Sequence, residues 1–494
     1  MSSGMTRGPK ASTGIPGLDD ITAGGLTARR VFLVEGAPGA GKTTLALQFL
    51  LEGAREGEKG LYITLSETDE ELRDGAASHG WSLQETVDVF ELVPPENLLD
   101  ERQQQSLLYS SDLELGETTQ RIFEAIEASQ PKRVVLDSLS EIRLLAQNSL
   151  RYRRQILALK HYFARRATTV LLLDDMTAEA FDKTVHSIAH GVIRLEQIAG
   201  TYGAARRRLQ IIKYRGQHFR TGYHDYTIAT GGISVFPRLV AAEHRTERPQ
   251  PVLSSGLTEL DHLLGGGVEV GSSVLALGPA GAGKSLLVVQ FIVAAIKRGD
   301  RAALFVFDEE LGLLFQRTKA LGFDLKALVD AGQLFIEQMD AAEVSPGEFA
   351  HEVRKRVERH DVRVVGIDSL NGYQNSMPEE GFIILHMHEL LQYLNRRGVV
   401  TFLTVAQHGI VGDMQAPIDL TYLADTVILL RYFEANGRVR RAISVIKKRG
   451  SNHEDTIREY RIALPGLQIG PPLEEFQGVL RGVPTYLGKN SLLK

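Results

Sequence analysis

The chain contains no cysteine, almost no excess of charge of either sign, and no long apolar run. Without thiols, disulfides and thiolate chemistry are excluded, and a reducing compartment is compatible with the composition. Lys and Arg number 56 against 61 Asp and Glu, a net charge of −5 over 494 residues, so no general attraction to nucleic acid or a membrane surface is built in. No stretch approaches the ~18 apolar residues of a membrane span. Met1 to Lys10 is polar, without the apolar centre of a signal peptide, and a cytoplasmic location is expected. What is present suits a soluble globular protein: 43% apolar and 24% charged residues, in a length that accommodates two domains, each with its own core.

Glycine supplies the first chemical signal. Gly36-Ala37-Pro38-Gly39-Ala40-Gly41-Lys42-Thr43 has the form G-x-x-x-x-G-K-[ST] and lies between an apolar run, Val31 to Val34, and a helical pattern, Thr44 to Gly53. Such glycines let the backbone aim several N–H groups at phosphate oxygens, and the following helix adds its positive N-terminal end. In this reading Gly36, Pro38, Gly39, Ala40, Gly41, Lys42, Thr43 and Thr44 hold ATP. Lys42 reaches the β- and γ-phosphates, and the Thr43 hydroxyl is placed for Mg2+. A second copy, Gly278-Pro279-Ala280-Gly281-Ala282-Gly283-Lys284-Ser285, gives Gly278, Gly281, Ala282, Gly283, Lys284 and Ser285 the same roles. A chance glycine-rich turn is the plainer alternative; its recurrence in the same setting argues against it.

The repeat extends beyond these loops. Ser12-Thr13-Gly14-Ile15-Pro16-Gly17-Leu18-Asp19 matches Ser254-Ser255-Gly256-Leu257-Thr258-Glu259-Leu260-Asp261, and Gly14 pairs with Gly256 at the offset that relates Gly41 to Gly283. The expected organisation is a tail 1–11, a first domain 12–236, a linker 237–253, a second domain 254–488 and a short tail 489–494. Within each copy, short apolar runs alternate with helical patterns, which predicts an α/β fold with a mostly parallel sheet covered by helices. The expected strands are 30–35, 60–65, 133–137, 168–173 and 191–195 in copy one. In copy two they are 273–277, 302–307, 363–368, 399–405 and 426–430. Late strand pairs follow at 207–215 with 225–229, and at 440–448 with 457–462.

The third run of each copy ends in a carboxylate, Asp137 and Asp368, the form of a Walker B strand whose acid holds Mg2+ through water at the C-terminal sheet edge. Hydrolysis also needs a group that orients the attacking water. Glu67 in copy one and Asp308-Glu309 in copy two follow the strand after the phosphate-loop helix, expected here to lie next to the phosphate-loop strand. A helix-start carboxylate interacting with the dipole is the alternative. Late in each copy, Lys213-Tyr214-Arg215 matches Lys447-Lys448-Arg449. Lys213, Arg215, Lys447 and Arg449 are candidate cationic fingers that reach a neighbouring subunit's γ-phosphate; otherwise they mark a basic edge strand guarded against aggregation.

These motifs together resemble the KaiC family of circadian-clock ATPases within the RecA/RadA superfamily, from about Ser12 to Gly488. The resemblance implies tandem RecA-like domains, a homo-hexameric double ring with ATP between subunits, slow hydrolysis in the first ring, and serine/threonine autokinase and autophosphatase activity in the second. It also implies a signalling or timing hub with a KaiB-like or other regulatory partner. In Asp419-Leu420-Thr421-Tyr422-Leu423, Thr421 and Tyr422 occupy the places of the family's phosphorylated Ser and Thr; a Tyr in the second place departs from that pattern and argues against a two-site ordered cycle. For Thr421 a turn or N-cap role is the alternative. The family's paired glutamates read Ser66-Glu67 and Asp308-Glu309 here. The few residues after Gly488 argue against regulation by KaiA. Two other readings remain: a RecA/RadA-like DNA-dependent ATPase, and a scaffold whose ATP only holds subunits together. For the first, Arg151-Tyr152-Arg153-Arg154 is the nearest basic stretch, but it continues as a helix and reads as a solvated face. For the second, the presence of Glu67 and Glu309 counts against it.

Overall fold

The structure, a computed structural model, describes residues 8–92, 107–176, 184–199, 203–241, 252–375, 380–407, 421–435, 437–481 and 485–487. Most of the expected linker and tails, and Asp419 and Leu420, lie outside these residues. The chain divides into two compact units at Arg238/Leu239.

The first unit is built on nine strands: β1 (Val31–Gly36), β2 (Gly60–Thr64), β3 (Val87–Glu91), β4 (Arg133–Asp137), β5 (Thr169–Asp174), β6 (Gly191–Ile198), β7 (Arg206–Tyr214), β8 (Tyr223–Ala229) and β9 (Gly232–Phe236). The second repeats them as β10 (Ser273–Gly278), β11 (Arg301–Val306), β12 (Leu334–Gln338), β13 (Val362–Asp368), β14 (Val400–Ala406), β15 (Thr426–Ala435), β16 (Arg438–Lys448), β17 (Arg458–Ile462) and β18 (Leu467–Pro472). The sheet orders are β9-β8-β7-β6-β1-β5-β4-β2-β3 and β18-β17-β16-β15-β10-β14-β13-β11-β12, so the duplication seen in the motifs holds strand for strand. From β3 to β6, and from β12 to β15, the pairs are parallel; the last three strands of each unit add antiparallel.

The expected strands appear with ends shifted by a residue or two, and β6 and β15 run further than expected. The edge strands β3 and β12 and the final strands β9 and β18 were not anticipated. One expectation is corrected: β2 is not beside the phosphate-loop strand, because β5 and β4 intervene, and β11 is likewise separated from β10 by β14 and β13.

Strand β1 is apolar throughout because both of its faces are covered: Val31 and Leu33 join one buried cluster, Phe32 and Val34 the other. Helix α1 (Lys42–Arg55) buries Leu45, Ala46, Phe49 and Leu50 on the second of these faces. Helices α2 (Asp69–Ser78), α3 (Lys284–Lys297) and α4 (Leu311–Ala320) complete the layers that matter for the site. The repeated opening has a structural cause: Asp19 accepts bonds from the Ser12 hydroxyl (2.9 Å) and the Thr13 amide (3.0 Å), and Asp261 does the same for Ser254 and the Ser255 amide (2.7 Å). Arg151 to Arg154 lie on a helix, Ser149–Arg166, with Tyr152 in the core and Arg153 and Arg154 exposed. No helix among the described residues is long and apolar enough to cross a membrane.

Candidate functional site

At the C-terminal edge of each sheet the first strand turns directly into its helix. Gly41 caps α1 with φ 89° and Gly283 caps α3 with φ 98°, a left-handed conformation suited to glycine. A side chain would also be crowded: a β-carbon on Gly41 would lie 2.5 Å from Ile228 Cδ1, and one on Gly283 3.0 Å from Ile462 Cδ1, so each isoleucine would have to move. Both lysines are buried and fold over their own loops. Lys42 Nζ donates to the Gly36 and Ala37 carbonyls (2.9 and 3.2 Å), and Lys284 Nζ to those of Gly278 and Pro279 (2.9 and 2.8 Å). Burial lowers the Lys284 pKa, with nearby Asp368 opposing the shift.

The Walker B acids end β4 and β13 on the same edge. Asp137, 6% exposed, accepts from the Tyr62 hydroxyl (2.5 Å), and burial raises its carboxyl above the usual range, with the nearby Thr43 hydroxyl opposing the shift. Asp368 accepts from Thr404 Oγ1 (2.5 Å). The peptide bond after each aspartate is cis. Thr43 and Asp137, expected as the metal pair, are thus neighbours. Their hydroxyl and carboxylate oxygens are the hard donors that suit Mg2+. Among the described residues no protein cluster would hold a metal unaided, so such an ion would draw its other ligands from phosphates and water.

Glu67 lies just beyond β2, its amide accepted by Thr64 Oγ1 (2.9 Å), ahead of a capping box in which Thr68 and Glu71 bond reciprocally at the start of α2. Burial raises its carboxyl, the charges of Asp137, Glu71 and Asp175 add to this, and Lys42 opposes it. Glu309 is engaged differently: Arg317 of α4 donates to both of its carboxylate oxygens (3.0 and 2.7 Å), while Asp308 accepts from the Ser369 hydroxyl.

The finger candidates lie elsewhere. Strands β7 and β16 run antiparallel to their neighbours, so their C-terminal ends lie at the N-terminal edge of the parallel strands, opposite the phosphate loop of the same domain. Lys213 donates to the carbonyls of His186 and Ala189, and Arg215 to that of Ser187, all around a short helix, Thr184–Ile188. Lys447 donates to the carbonyls of Thr421 (2.8 Å) and Ala424 (2.7 Å), and Arg449 to that of Tyr422 (2.6 Å). Thr421 therefore sits in a turn held by both cations of its own domain, with the Tyr422 ring exposed beside it.

The family model "ATPase: KaiC" matches residues 11–240 and again 253–474. The chain belongs to the KaiC family. It is similar to a circadian clock protein KaiC3 of Synechocystis sp., with 28% identity over 98% of this chain and 96% of that protein. It is also similar to circadian clock oscillator proteins KaiC of Parathermosynechococcus lividus (30%, 98% and 90%) and Thermosynechococcus vestitus (30%, 97% and 92%). The duplicated sheets are accordingly tandem RecA-like domains of a KaiC-family ATPase.

Four residues near the KaiC-type loops escaped the sequence reading. Asp175, just after β5, forms an ion pair with Lys42 at 2.8 Å; Gln407 follows β14 at the equivalent place. Tyr226 on β8 donates to the Ala40 carbonyl (2.6 Å), and Tyr460 on β17 to that of Ala282. Each tyrosine braces a loop from a strand distant in sequence. Tyr226→Phe and Tyr460→Phe are each expected to weaken ATP binding in their own domain about five-fold, the worth of one hydrogen bond. Titration with a fluorescent ATP analogue reads this out, and unchanged affinity would remove the tyrosines from the site.

Proposed function

We propose that this KaiC-family chain assembles into a ring, most simply of six copies, in which every ATP is bound by one chain's phosphate loop and completed by the next chain's cations. The observation that carries this reading is the placement of Lys213, Arg215, Lys447 and Arg449 on the sheet edge opposite the loop of their own domain. There they cannot serve their own phosphates, but they are presented to a neighbour docked head to tail.

In this scheme Lys42 and Lys284 leave their loop carbonyls for the β- and γ-phosphates. Thr43 with Asp137, and Ser285 with Asp368, hold Mg2+, which when bound neutralises phosphate charge and polarises the γ-phosphoryl group. Glu67 accepts a proton from the attacking water; its raised pKa makes it a stronger base than an ordinary glutamate. In the second domain Glu309 serves after releasing Arg317, with Asp308 beside it. The same domain acts as a serine/threonine autokinase on Thr421, a reading supported by its sharing the sheet edge of Lys447 and Arg449, whose side chains donate to the carbonyls of Thr421 and Tyr422. The chain then works as a signalling or timing hub.

Intact mass and phosphate release after incubation with Mg-ATP test both activities together. Phosphopeptide mapping is expected to find phosphate at Thr421 in the wild type, none there in Thr421→Ala, and a strong loss in Glu309→Gln. Phosphate at another residue, or undiminished at Thr421 in Glu309→Gln, overturns the autokinase mechanism and leaves a double-domain ATPase.

A further inference from the structure

A cavity of about 360 Å³ opens at the N-terminal sheet edge of the first domain, lined by Arg29, Arg30, Lys160, His190 and Arg215 with Val31, Ala164 and Gly216. No carboxylate is among its lining residues. His190 Nε2 is buried there without a hydrogen-bond partner. Burial, then the charges of Arg30, Arg215, Lys160 and Lys213, hold its pKa down to about 4, so the ring adds no further charge near neutrality. Lys160 is likewise pushed down by burial and by Arg215 and Arg30. Cations gathered in one partly desolvated pocket repel unless an anion lies among them.

The second domain shows what is missing. His190 and Asp425 are equivalent: the His190 amide bonds the Val31 carbonyl (2.8 Å) and its carbonyl accepts from the Arg215 amide (3.0 Å), as Asp425 does with Ser273 (2.9 Å) and Arg449 (3.0 Å). The Asp425 carboxylate is a built-in anion, accepting from the Ser273 amide and hydroxyl (both 3.0 Å), Asn395 (3.3 Å) and Arg449 (3.4 Å). The first domain puts an imidazole at this point and adds Arg30 and Lys160 around it.

We propose that this pocket binds a phosphate-class oxyanion, gripped by Arg30 and Lys160 with Arg215 at its rim, at a site separate from both phosphate loops. The oxyanion is free phosphate, taken up without a nucleotide or a second chain. Inorganic phosphate is titrated calorimetrically into nucleotide-free full-length protein, wild type and the variants Lys160→Ala, Arg30→Ala and His190→Asp. Binding that weakens about ten-fold with either lost cation, and disappears when His190→Asp supplies the carboxylate, is the expected result. Wild-type protein that takes up no phosphate, or binding unaltered in all three variants, overturns the site. The phosphate titration needs no assembly, so failure of the ring reading is distinguishable from failure of the pocket.

Discussion

Full-length protein carrying Lys42→Ala is expected to keep about half of the nucleotide held by the wild type under saturating Mg-ATP, and Lys284→Ala to lose the other half. Both lysines are buried against their own loop carbonyls, so each ammonium is already positioned over one phosphate cradle and no other. Alanine removes the only cation among the loop's residues and leaves the backbone N–H groups to face the phosphates alone. Nucleotide released on denaturation, counted per chain, gives the result directly. A variant that retains the full complement shows that its domain does not use this loop for ATP.

The second large effect concerns hydrolysis in trans. With the second domain silenced by Glu309→Gln, Arg215→Ala and Glu67→Gln should each lower first-domain turnover by about a hundred-fold or more, because each removes a group that acts on the transferred phosphoryl or its water. Mixed in equal amounts, they should recover activity at roughly a quarter of the interfaces, those that join an intact Glu67 from one chain to an intact Arg215 from the next. Phosphate release before and after mixing measures it. Particles that stay monomeric in Mg-ATP by mass photometry, or a mixture no more active than its components, would refute the shared site.

Much of this architecture was legible in the residues, for identifiable reasons. The phosphate loops and the Asp137 and Asp368 strands could be read because their chemistry dictates both residue type and spacing, and because a strand buried on both faces must be apolar throughout. Strands β3 and β12 were missed because they lie at the sheet edge, where Asp88, Glu91 and Glu337 are tolerated and the apolar signal breaks up. The position of β2 was misjudged because chain order carries no record of the crossover that inserts β5 and β4 between β1 and β2. Asp175 and Tyr226 join the loop through tertiary contacts alone, and nothing in their local sequence marks them. Glu67 and Glu309 occupy matching places, yet Arg317 has Gly75 as its counterpart, so only the fold reveals their different partners.

The tyrosine braces have a mechanical side. In the first domain Tyr226 and Ile228 touch the phosphate loop from β8, and β8 is laced to β7 through the pairs Tyr223–Gln210, His224–Leu209 and Asp225–Arg208. Strand β7 carries Lys213, with Arg215 just beyond its end, at the opposite edge of the sheet. The second domain repeats the linkage from Tyr460 through Arg441 to Lys447 and Arg449. Each hairpin therefore spans the sheet, with its loop contacts near one end and its cations near the other. In each domain a continuous hydrogen-bonded path of two strands joins the phosphate loop at one sheet edge to the cations at the other, complete within that domain.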